Sequence, residues 1–214
     1  MKKDCLELVF VLDRSGSMSG LEKDTIGGFN SMMEKQKTES GEVLVTTVLF
    51  DNRIEQLHDR LDIRAMAPLT EKDYFVRGST ALMDALGSTI TRVARNHHRM
   101  AEDYRPEKTM FVIITDGYEN ASREYSRARV RELIGHEKRK YGWEFLFLGA
   151  NIDAVATAET IGIAEDCSVD FHADKKGVAL NYKVLSDAIS GVRTYAEPLG
   201  RKWKKAIEED YISR

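Results

Sequence analysis

The sequence is poor in cysteine and proline, with two of the first and three of the second in 214 residues. Cys5 and Cys167 allow one bridge at most, which excludes a disulfide-built scaffold and suits a reducing compartment, so a cytoplasmic location is expected. So few prolines leave little room for a disordered linker. Long apolar runs are missing too. Stretches such as residues 8–12 and 110–114 fall far short of the roughly 20 residues of a membrane helix, so no membrane segment is expected. Residues 1–4 start like the n-region of a signal peptide, but Glu7 interrupts the run that follows and no small-residue cleavage site comes after it. Charge of one sign is absent as well. Lys and Arg number 32 against 35 Asp and Glu, a net of −3, without the basic excess of a dedicated nucleic-acid binder.

What the chain does have is alternation. Residues 6–12 read as a buried strand and 21–37 as a helix with Ile26, Phe29, Met32 and Met33 on one side. Residues 43–50 and 53–61 read as two strands joined by a two-residue turn at Asp51-Asn52, hence an antiparallel hairpin. A helix capped by Ser79 or Thr80 follows, its Leu82, Ala85, Leu86, Ile90 and Val93 at three- and four-residue spacing. Residues 109–114 form the most hydrophobic strand. Ser122 is expected to cap a charged helix that runs to about Lys140 and is broken by Gly142. A strand at 145–148, a helix at 153–160, a short strand at 167–171 and a last helix at 178–195 complete the pattern. Repeated strand–helix units of this length predict an α/β fold: a Rossmann-like, mostly parallel central sheet with an antiparallel edge hairpin and helices on both faces. One domain over residues 1–197 is expected. Residues 198–214 form a charged C-terminal tail or helix packed on it, with Leu199, Trp203, Ile207 and Tyr211 as apolar anchors after Pro198.

In open α/β sheets, ligands bind beyond the carboxyl ends of the strands. Three loops fall there: Asp13-Arg14-Ser15-Gly16-Ser17 after the first strand, Gly78-Ser79-Thr80 before a helix, and Thr115-Asp116-Gly117 after the most hydrophobic strand. Residues at i, i+2 and i+4 of an extended turn project to one side, so Asp13, Ser15 and Ser17 can converge. Carboxylate and hydroxyl oxygens without a His or Cys cluster suit a hard cation, Mg²⁺ with Mn²⁺ or Ca²⁺ as alternatives, rather than Zn²⁺.

These residues resemble the von Willebrand factor type A (VWA) family. Asp13-Arg14-Ser15-Gly16-Ser17 is similar to its Asp-x-Ser-x-Ser metal-ion-dependent adhesion site (MIDAS). Thr80 and Asp116 fall where the family has its metal-binding threonine and last aspartate, and the order of elements matches over about residues 5–195. The resemblance implies metal ligands Asp13, Ser15, Ser17, Thr80 and Asp116. Ser15, Ser17 and Thr80 would bind directly or through water, and the two aspartates largely through water. It also implies a non-catalytic protein-binding module in which a partner's Asp or Glu completes the ion's shell. The partner expected by that resemblance is a protein such as an ATPase or a stress-response protein.

The alternative is a Mg²⁺-dependent phosphoester hydrolase with Asp13 as nucleophile. Against it, Ser15 stands where a second aspartate would serve as acid. Phosphate-binding glycine loops and a Gly-x-Ser-x-Gly elbow are also missing. The five histidines are scattered, and the adjacent His97 and His98 point in different directions on a helix. The charged helix at 122–140 reads as a solvated face, the run Arg201-Lys202-Trp203-Lys204-Lys205 as one blunted by the acids after it. Cys5 and Cys167 read as small buried hydrophobes.

Overall fold

A computed structural model describes residues 1–194 and 200–214. Its elements run β1 (Lys2–Asp13), α1 (Glu22–Lys37), β2 (Glu42–Phe50), β3 (Ile54–Asp62), α2 (Leu82–Arg99), β4 (Pro106–Thr115), α3 (Arg127–Tyr141), β5 (Glu144–Gly149), α4 (Ala154–Thr160), β6 (Ser168–Asp170), α5 (Lys175–Thr194) and α6 (Lys205–Ser213). The six strands lie in the order β3-β2-β1-β4-β5-β6. All neighbours are parallel except β2 and β3.

Buried strands with both faces covered carry apolar residues at consecutive positions, and β1 shows why. Leu6, Leu8, Phe10 and Leu12 join one core with Phe29 and Met32 of α1 and Leu185 and Ile189 of α5. Val9 and Val11 join the other, with Leu86 and Ile90 of α2 and Val130 and Ile134 of α3. Chain order reverses between β1 and β4, which pair in parallel from Leu6↔Lys108 to Leu12↔Ile114. Their carboxyl ends therefore open side by side at the crevice where such sheets take ligands.

Several local expectations are corrected. Phe50 pairs with Ile54, so three residues, not two, turn the hairpin; Asp51 closes it by accepting the Arg53 amide at 2.8 Å. Neither Ser79 nor Thr80 caps α2, whose flanking residue is Ala81. The cap comes instead from a distant loop: Glu119 accepts the Met83 amide at 2.9 Å and the Ser122 hydroxyl accepts that of Asp84 at 3.1 Å. Ser122 is thereby spent, and α3 starts later, capped by Ser126. Gly142 ends it at φ +66, a left-handed conformation that glycine adopts without steric cost. Cys167 sits in a single turn before β6 rather than within it. Tyr195, Pro198 and Leu199 lie outside the described residues.

The C-terminal segment returns to the sheet edge. Ile207 enters the α1–α5 core, while Tyr211 stays 43% exposed. Lys204 is buried, contrary to its reading as part of a solvated run, and donates to the carbonyls of Glu165 and Ser168 at 2.7 and 2.8 Å. In the middle of β1, the fully buried Glu7 pairs with Arg60 and with His97 Nε2.

Candidate metal centre

The three loops meet above the β1–β4 crevice. Asp13 Oδ1 accepts the Ser15 amide at 2.7 Å and Oδ2 accepts the Thr115 hydroxyl at 2.6 Å. Ser15 Oγ lies 3.0 Å from Ser17 Oγ and accepts from Thr80 Oγ1 at 3.1 Å. The Ser17 hydroxyl in turn donates to Asp116 Oδ1. Hydrogen bonds thus link all five expected residues, Asp13 joining through the Ser15 backbone. A Cβ added at Gly117 would stand 3.1 Å from Ser17 Oγ and 3.2 Å from Thr80 Oγ1, so the absence of a side chain keeps the centre open.

Asp13, Ser15, Thr80 and Asp116 are buried, while Ser17 is exposed at the mouth. Burial, aided by the charge of Asp13, pushes the Asp116 carboxyl up to about 6, against the pull of the Ser17 hydrogen bond. Burial also raises Asp13, opposed by its bonds from Ser15 and Thr115. Asp116 Oδ2 is buried and has no hydrogen-bond partner among the described residues. A buried carboxylate oxygen without a donor is costly, and a hard cation would remove that cost. The donor set fits one. Among the described residues no three His, Cys, Asp or Glu side chains gather to hold a metal, so a cation here depends on the hydroxyls.

Sequence reading missed the residues that hold the loops. Tyr74 donates its hydroxyl to the Asp13 carbonyl at 2.5 Å. Asn120 accepts the Thr80 amide and returns its own amide to the Thr80 carbonyl, each at 3.0 Å. The buried Arg14 bonds Asp51 at 2.9 Å and Glu55 at 2.7 Å, and Arg77 shares Asp51 at 2.8 Å. Both guanidinium carbons stand 5.3 Å from the centre of the Phe75 ring. Asp84 accepts the amides of Arg123, Glu124 and Tyr125 at 2.7–2.9 Å, pinning the loop after Asp116 to α2. Asp84 was visible only as an acid in a helix's first turn; its partners lie 39 to 41 residues away, beyond any local pattern. The histidines stay apart from this centre: His97 serves Glu7, and His172 bonds the Tyr211 carbonyl.

No protein-family model matches the chain, and no curated protein matches it by sequence. Solved structures do. A von Willebrand factor type A protein from Catenulispora acidiphila superposes with a TM-score of 0.60 at 14% identity, over 86% of this chain and 42% of that one. Manganese-loaded TRAP protein of Plasmodium vivax gives 0.58 at 18%, over 84% and 73%. Proximal thread matrix protein 1 from the mussel byssus, with a zinc-occupied MIDAS motif, gives 0.57 at 16%, over 85% and 44%. The chain spans less than half the length of the mussel and Catenulispora proteins. Sheet order, the single antiparallel edge strand and these neighbours agree: the chain has the von Willebrand factor type A fold.

Proposed function

We propose that the chain is a protein-interaction module that takes an acidic group of its partner through a divalent cation held by Asp13, Ser15, Ser17, Thr80 and Asp116. The observation that carries this reading is the buried Asp116 oxygen without a donor, set among hydroxyls that bond only one another and the two carboxylates. Two carboxylates and three neutral hydroxyls are five donors, one short of an octahedral shell, so a bound ion would keep a position open for an outside carboxylate. The chain's own residues supply the frame. Thr115 and the Ser15 amide fix Asp13, Asn120 fixes Thr80, and Ser17 faces solvent where a partner arrives. Exposed Tyr118 follows Gly117, and partly exposed Phe75 precedes the Thr80 loop; aromatic side chains of this kind favour protein contact.

Mg²⁺ is the ion proposed, with Mn²⁺ or Ca²⁺ as alternatives, because every donor is a hard oxygen. The neighbours carrying manganese and zinc make those two ions the comparison set for this chain. The partner supplies Asp or Glu, and an ATPase or stress-response protein remains the proposed kind. The hydrolase is not the reading proposed: both oxygens of Asp13 are engaged by the chain's own Ser15 amide and Thr115 hydroxyl.

Thermal unfolding with Mg²⁺, Mn²⁺ or Zn²⁺ tests the reading. An ion at about 100 times its Kd stabilises by about 2.7 kcal/mol, and Asp13→Ala and Asp116→Ala should abolish that gain. Identical melting with ion and with EDTA in the unsubstituted protein would refute metal binding. Partner capture that survives both EDTA and Asp116→Ala would refute the role of the ion in recognition.

A further inference from the structure

A cavity lies at the other end of the sheet. Where α2 and α3 both end, beside the start of β4, the chain encloses a cavity of about 380 Å³, a size that suits a small molecule. Trp143 and Tyr141 form aromatic walls and Glu137 lines the same space. Glu137 is 3% exposed. Its Oε2 is buried without a hydrogen-bond partner, and the residue makes no ion pair among the described residues. Burial raises its pKa, against the pull of nearby His136, His98, His97 and Lys140. Met1, His98, Glu102, Arg105, Glu107 and Lys140 also line the cavity; Glu107 accepts the Asp4 amide at 2.9 Å, Arg105 donates to the Met100 carbonyl at 3.2 Å, and His97 is taken by Glu7. Lys140 Nζ lies over one face of the Tyr141 ring, 5.1 Å from its centre, which leaves the other face for a ligand. The carboxyl ends of two helices add negative potential at the same place.

We propose that this cavity binds a small protonated primary amine, its ammonium donating to Glu137 and its carbon frame lying against Trp143 and Tyr141. An unpaired buried carboxylate is unfavourable by itself. An ammonium supplies both the charge and the N–H donor that Oε2 lacks, and aromatic faces attract the cation further.

The test uses the full chain with Trp203→Phe, which leaves Trp143 as the sole tryptophan of two. Phenethylamine is titrated while Trp143 fluorescence is followed, with 2-phenylethanol as the neutral isostere. The amine should give a saturable change in the millimolar range, and Glu137→Gln should weaken it by about tenfold or more. Asp116→Ala, at the far site, should leave it unchanged. Equal response to amine and alcohol, no saturable response, or full binding by Glu137→Gln overturns the proposal. If Glu137→Gln melts early, Tyr141→Leu decides: undiminished amine binding in that variant overturns it equally.

Discussion

Strand β1 buries acids at its middle and at its carboxyl end, and they are treated differently. Glu7 in the middle is given fixed counterions, Arg60 from β3 and His97 from α2. Asp13 and Asp116 at the carboxyl end receive only hydroxyls and an amide, and one oxygen of Asp116 receives nothing among the described residues. A charge paired within the chain serves stability; a charge left for an outside partner serves binding. Glu137, buried near Glu7 but unpaired, belongs by this criterion with the metal centre rather than with its neighbour.

The contrast can be broken most forcefully at Glu7. Glu7→Ala strands Arg60 and His97 at partly buried positions and should cost about 3–5 kcal/mol in urea unfolding, whereas Glu137→Gln should cost under about 1 kcal/mol. Equal losses would erase the distinction. A smaller effect concerns pH without metal ions. Because the folded carboxyl of Asp116 sits near 6 and the ordinary value is 3.8, the unfolded chain releases this proton first as pH rises. Stability should therefore fall between about pH 4 and 6, by on the order of 1–2 kcal/mol. Asp116→Asn should flatten that slope, and excess Mg²⁺ should reverse it; an unchanged slope in Asp116→Asn would assign it to another group. The smallest effect is structural. Glu119→Ala removes the distant cap of α2 and should lower stability by about 1 kcal/mol, measured by thermal unfolding with EDTA present.

The same contrast marks what the sequence can reveal. Strand and helix alternation is legible because residues such as Leu8, Val9, Phe10 and Val11 are apolar at every position, as a doubly covered strand requires. The five residues of the candidate metal centre are legible because each sits in a short polar loop beside such a run. Their convergence needed the fold. The caps at Ser79, Thr80 and Ser122 were misplaced because each residue's hydrogen bonds go elsewhere: Thr80 turns to Ser15, and Ser122 serves a helix that starts 40 residues earlier. Glu7 read only as a break in an apolar run, Glu137 as one charge on a solvated helix, and Lys204 as part of a basic cluster. Burial of a lone charge leaves no periodic trace, since the partners that permit it come from other elements.

Lys204 has one more consequence. Strand β6, three residues long, is an outer strand of the sheet, and such strands invite another molecule to extend the ladder. Here the Ser168 carbonyl is already taken by the buried ammonium of Lys204, and α6 packs beside it. At the opposite border, β3 carries register shifts and Arg60 at φ +50, an irregularity that no incoming strand can match over its length. Both borders of the sheet thus carry features that hinder the addition of a further strand.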